Sequence, residues 1–169
     1  MTAKLKRGIT KVKDPGSALT HFIAMILAII AAIPLLSKAG HDSGHMHISA
    51  LAIFILSMIG LYAASTIYHT LDISPKINKL LRKIDHMMIF ILIAGTYTPV
   101  CMIVLGDKTG WTMLTLVWGI AIVGILINAL WITCPKWFSS LIYIAMGWVC
   151  ILAITKILSS MPRAGFMWL

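Results

Sequence analysis

The chain has 169 residues, 60% of them hydrophobic and only 11% charged, with a mean hydropathy of +0.96. Ordinary soluble domains are about half apolar and about a quarter charged, which excludes a cytosolic globular protein. The net charge is +9, but a nucleic-acid partner needs a solvated basic face, and this composition leaves little room for one.

The reading is a polytopic, all-α membrane protein forming a single domain over 1–169. Five apolar stretches approach the roughly 20 residues that a helix needs to cross the hydrocarbon core. They fall at about 17–37, 48–69, 84–105, 111–133 and 138–158. The first has a basic leader, but it is too long for a secretory signal and no A-x-A-like site follows, so it is expected to remain as a span. The links are short, which makes neighbouring helices antiparallel.

Taken in order, the N-terminal tail carries Lys4, Lys6, Arg7, Lys11 and Lys13. After the first stretch comes His41-Asp-Ser-Gly-His45-Met-His47, expected to be a solvated, flexible loop; capture of a divalent metal or pH sensing is the alternative. Ser57, Gly60 and Ala64 form a small-residue stripe on the second helix, the signature of close helix packing. The second link carries Lys76, Lys79, Arg82 and Lys83. In the third stretch, Gly95-Thr-Tyr-Thr-Pro99 predicts a kink, with Thr96 or Thr98 satisfying the carbonyls that Pro99 frees.

Trp111 and Trp131 sit near opposite ends of the fourth stretch, at interfacial depths. Asn128 is expected to donate a hydrogen bond to a neighbouring helix, and Lys156 to snorkel from the fifth stretch. Cys101, Cys134 and Cys150 form no C-x-x-C and read as small apolar helix residues. The chain closes on Gly165-Phe-Met-Trp-Leu169, which resembles the start of a sixth span over 159–169, so the sequence is expected to be a shortened form of something longer. A five-helix piece of that kind leaves homo-oligomerisation open.

Lys and Arg set the orientation. The tail holds five, the second link four and the last link one (Lys136), whereas the other two links hold one each, Lys38 and Lys108. Positive charge collects on the cytoplasmic side, so the N-terminus is cytoplasmic.

Polar groups within spans are costly and are functional candidates by default. The topology brings His21, Ser65, His69, Asp85 and His86 to one depth near the inner face, with Ser65 and His69 on one side of their helix at i and i+4. Imidazoles and a carboxylate suit a first-row metal such as zinc, or a held catalytic water. Two readings stay open: a helix-end His69–Asp85 pair at the water boundary, and a metal or catalytic site. Asp85 is expected in the first turn of its helix, where the dipole favours a carboxylate anyway. It faces inward, His86 points about 100° away from it as a weaker ligand candidate or an interfacial residue, and His21 is either a weaker ligand candidate or a packing residue.

Asp14-Pro-Gly-Ser-Ala-Leu-Thr-His21, Ser65-Thr-Ile-Tyr-His69, Leu81-Arg-Lys-Ile-Asp85-His86, Ala94-Gly-Thr-Tyr-Thr-Pro99 and Ala145-Met-Gly-Trp148 resemble, in order and spacing, the signatures of the hemolysin III family, the bacterial branch of the progestin and adipoQ receptor group. The resemblance implies a seven-helix membrane protein with five spans present here. It implies zinc as cofactor, with His69 as the second-helix ligand, Ser65 its polar partner and Asp85 the carboxylate that orients the attacking water. The two remaining His ligands belong to an H-x-x-x-H on the seventh helix, and no such motif occurs within the five stretches.

Three functions follow as expectations. The first is a zinc-dependent hydrolase of a lipid amide or ester in a bacterial plasma membrane, with Asp85 and Ser65 as catalytic residues. The second is a pore-forming, cytolytic protein, although no charged ring or glycine-rich filter is present. The third is a receptor-like regulator of membrane lipid state with a structural metal. Membrane lipid is the expected partner in each.

Overall fold

The computed structural model describes residues 12–42, 44–131 and 136–161. Among them the chain is helical, without strands, and five helices are long and apolar enough to span a membrane. In order these are α1 (Pro15–Asp42), α2 (His45–Thr70), α3 (Pro75–Pro99), continued by a π-helical segment (Val100–Leu105), α4 (Lys108–Leu130), and α5 (Lys136–Trp148), continued through a 3-10 segment (Val149–Ala153) into α6 (Ile154–Ser160). This is a multi-pass membrane protein.

Each element packs mainly on its sequence neighbour: α1 on α2, α2 on α3, α3 on α4, with α5 returning to lie against α3 and α4. Glycines set the closest approaches. A Cβ on Gly95 would collide with the Ser57 side chain, and one on Gly60 with Met88, so the small residues of α2 do bring it hard against α3. A Cβ on Gly124 would strike the Phe90 ring, which is fully buried and packs on Tyr143 with centroids 4.5 Å apart. The densest packing therefore lies among α3, its π extension, α4 and α5–α6. By contrast, among the described residues α1 packs on α2 alone, and most of its apolar surface is open to lipid.

The third span starts at Pro75 rather than near 84. Ser74 caps it, accepting from the Ile77 N–H at 3.3 Å, and Pro75 occupies the first turn, where a missing N–H costs nothing. Lys76, Lys79, Arg82 and Lys83 are thus helical, not loop, residues. The 31 residues of Pro75–Leu105 make a rod of about 46 Å, against about 30 Å of hydrocarbon. Its excess length lies at the start, where the cations stand, and Lys83 donates to the Ala129 carbonyl near the end of α4 at 3.1 Å.

Residues 41–42 and 45–47 are helical rather than part of a flexible loop. α1 runs to Asp42, and α2 begins at His45 after Gly44, whose φ of 79° makes the turn. His45 and His47 stand in the first turn of α2, and the His41 side chain lies outside the described residues.

Pro99 is bridged by the π segment, which closes with Gly106 N–H donating to the Cys101 carbonyl at 3.1 Å. Thr98 bonds the Ala94 carbonyl at 3.0 Å and Thr96 the Ile93 carbonyl at 2.7 Å. Neither reaches Gly95, whose carbonyl loses its usual donor at Pro99.

The 3-10 segment meets a hydroxyl from another helix. The Tyr97 hydroxyl reaches from α3 into the fifth span, facing the Met146 and Gly147 carbonyls at 2.8 and 3.0 Å and accepting from the Cys150 N–H at 2.9 Å. It replaces the backbone partners that the tightened turn displaces. Asn128 donates to the Gly124 carbonyl of its own helix at 3.1 Å and accepts from Ser139 Oγ at 3.1 Å, so in the interhelical bond seen among the described residues it is the acceptor. Lys156 does not simply snorkel: it pairs with Asp107 and bonds Thr109 Oγ1 at 2.8 Å. Residues 162–169, most of the expected sixth-span start, lie outside the described residues.

Candidate functional site

At the end of the bundle that the loop charges assign to the cytoplasm, α1 starts beside the last turn of α2. Two backbone bonds fix this register: Asp14 N–H to the His69 carbonyl at 2.9 Å, and Lys13 N–H to the Thr70 carbonyl at 3.4 Å. They set the Asp14 carboxylate against the His69 ring, with Oδ2 3.2 Å from Nδ1. Ser17, in the first turn of α1, donates its hydroxyl to the same Oδ2 at 2.7 Å. That bond above all, with the His69 ring behind it, holds the Asp14 carboxyl below the usual carboxylate range.

His21, on the same helix as Ser17, stacks on His69 with ring centroids 5.7 Å apart and planes 11° from parallel. It also lies 5.8 Å from the Tyr62 ring. The edge of Tyr68 meets His69 at 4.8 Å, and the Lys13 ammonium sits 3.5 Å over the Tyr68 ring. The His69 imidazole is thus held on one face, one edge and one nitrogen.

Ser65, one turn before His69, is buried at 4% exposure, and Asp85 on α3 at 8%. Asp85 is not in the first turn of its helix, as expected, but ten residues in, because the helix starts at Pro75. The helix dipole therefore does not account for it. Its nearest ionisable neighbour is the ring of His86, with Nδ1 3.6 Å from Oδ2, too long for a hydrogen bond. That nitrogen faces the Arg82 carbonyl instead, at 2.8 Å. The His86 backbone carbonyl accepts from the Tyr143 hydroxyl at 2.8 Å, tying this part of α3 to α5.

The candidate residues therefore fall into two groups, Asp14–His69–His21 between α1 and α2, and Asp85–His86 on α3. Among the described residues no three His, Cys or Asp side chains converge as metal donors. The helix-end ion pair of His69 is formed with Asp14, not with Asp85. Sequence reasoning leaves Asp14 without a role. The signal that could have found it is a carboxylate at the start of one helix and an imidazole at the end of its antiparallel neighbour.

Comparison with known proteins gives one consistent result. A family model described as Haemolysin-III related matches residues 9–169. The chain is 38% identical over 167 residues to Hemolysin-3 of Bacillus cereus, covering 98% of this chain and 76% of that protein. It is 35% identical over 154 residues to a Hemolysin-3 homolog of Bacillus subtilis (strain 168), covering 91% of this chain and 72% of the relative. No solved structure matches it.

Proposed function

The chain belongs to the haemolysin-III-related family, and from that premise we propose that it is a plasma-membrane hydrolase acting on an amide or ester bond of a membrane lipid. The observation that carries the reading is the pair of buried polar side chains, Ser65 and Asp85, inside otherwise apolar spans, at the end of the bundle where His69 is held. A carboxylate at 8% exposure inside an apolar span, with the His86 ring 3.6 Å away beside it, is a functional candidate, because such groups are expensive in a membrane.

In this reading Asp85 accepts the proton of the attacking water or orients it, and Ser65 donates to the oxyanion that develops on the lipid carbonyl. Zinc is the proposed cofactor. The donor chemistry fits it in kind and falls short in number: His69 is one oriented imidazole, whereas a catalytic zinc takes three protein ligands. The two others are the imidazoles that the family resemblance puts on a seventh helix. When bound, zinc supplies Lewis acidity, making water acidic enough to ionise near neutral pH and polarising a carbonyl.

Metal analysis of a form extended to carry the seventh-helix histidines, with and without His69→Ala, tests this. About one zinc per extended chain, lost on His69→Ala, is the expected result. Turnover of a fluorescent lipid amide or ester should disappear with it. Absence of zinc from the extended chain overturns the reading, and ion conductance in defined bilayers would then favour the cytolytic activity that the relatives' name records.

A further inference from the structure

Asp14 contacts the candidate imidazole directly, yet none of the roles assigned above uses it. Its carboxylate is placed from three sides. The Asp14 N–H bond to the His69 carbonyl sets the register, and Ser17 Oγ fixes Oδ2 at 2.7 Å. That oxygen then meets His69 Nδ1 at 3.2 Å. The His21 ring, nearly parallel to His69, restrains rotation of the imidazole out of this contact. The Asp14 side chain is 49% exposed, so a pair of this kind adds little to stability. Its consequence is directional.

A carboxylate only accepts hydrogen bonds, and a neutral imidazole carries one N–H and one lone pair. At 3.2 Å from the Asp14 carboxylate, an N–H on Nδ1 is attracted and a lone pair there repelled, so the contact favours the proton on Nδ1. We propose that Asp14 is the positioning residue of His69, fixing it as the Nδ1–H tautomer so that the Nε2 lone pair is the atom the site uses. A carboxylate behind an imidazole sets the tautomer and raises the basicity of the opposite nitrogen, the arrangement found behind metal-bound histidines. The use made of Nε2 rests on the hydrolase reading; the tautomer itself does not.

The experiment is ¹⁵N NMR of histidine-labelled, metal-free protein in lipid nanodiscs at a pH above the imidazole range, with the His69 signals assigned by their loss in His69→Gln. The wild type should show a protonated Nδ1 and an unprotonated Nε2. Asp14→Ala should move the proton to Nε2. Asp14→Asn, which keeps the size, the Ser17 contact and the backbone bonds, should give a mixture and guards against a folding failure in the alanine variant. An Nε2–H or doubly protonated ring in the wild type, or an Nδ1–H ring unchanged in both variants, overturns the proposal.

Zinc titration of the same Asp14 variants in the form extended to carry the seventh-helix histidines separates the two ideas. Loss of Asp14 should weaken zinc binding by about 10–100-fold. No zinc binding, with a tautomer that still depends on Asp14, removes the hydrolase reading and leaves the positioning role standing. Zinc bound equally by wild type and Asp14→Asn, with an unmoved tautomer, removes the positioning role alone.

Discussion

Two aspartates at opposite ends of the bundle show how differently this chain treats a carboxylate. Asp107, between the π segment and α4, is fully engaged. Its Oδ1 accepts from the Thr109 and Gly110 N–H groups at 3.0 and 3.1 Å, capping α4, and its Oδ2 pairs with Lys156 of α6. Asp85, buried in α3, has no hydrogen bond from a described residue, and its neighbour His86 is turned to the Arg82 carbonyl. The first carboxylate ties three elements together and is explained by that task. The second makes no such tie among the described residues, which is why Asp85 is proposed for the site and Asp107 is not.

Substituting the two residues in parallel is the sharpest way to break that contrast. Asp85→Ala should lower lipid turnover by about 10²–10⁴-fold, the usual contribution of a general base, while the thermal midpoint stays level or rises. Asp107→Ala should do the reverse, leaving turnover unchanged and lowering the midpoint. Turnover assays and thermal scans on both variants check this; equal loss of stability in the two would make Asp85 structural as well.

The contrast is only half legible in the sequence. Composition and hydropathy place the spans, and charge counting assigns Asp85 and His69 to the same end. The depth of Asp85 escapes that reading because the four cations before it mask a helix start that Ser74-Pro75 announces as cap and first-turn proline. Hydropathy averages over such a start, and capping geometry does not. The partner of His69 is hidden for another reason: Asp14 meets it only through the register of two antiparallel helices, and residue spacing along one helix carries no information about that register. The same holds for Lys156, whose acceptor lies 49 residues away.

A mid-membrane hydroxyl extends the comparison to the tightly packed half. Tyr97 is engaged as fully as Asp107, with contacts to two carbonyls and one N–H of the fifth span. Tyr97→Phe keeps the ring and strands those backbone groups in an apolar setting, at a cost of about 1–3 kcal/mol. Reversible unfolding in mixed micelles measures this. Hydrogen exchange should also rise at Cys150, whose N–H loses its acceptor. A cost near zero would mean that the 3-10 turn at Val149–Ala153 arises from its own sequence, not from the inserted hydroxyl.

The smallest expected effect is a pH dependence, and its sign distinguishes an engaged carboxylate from a free one. Lys156, and behind it the Gly110 N–H, holds the Asp107 carboxyl below its ordinary value of 3.8. A group whose pKa is depressed on folding stabilises the protein above its unfolded value, and that contribution is lost as pH falls through the folded one. The difference in thermal midpoint between wild type and Asp107→Asn should therefore be present at neutral pH and shrink below about pH 4, where the wild-type side chain also becomes neutral. Lys156→Met should remove most of the difference at every pH, because the ammonium is the main cause of the shift. A difference that persists undiminished in acid would instead trace the role of Asp107 to its two capping bonds, which leave Lys156 an exposed cation of no structural consequence.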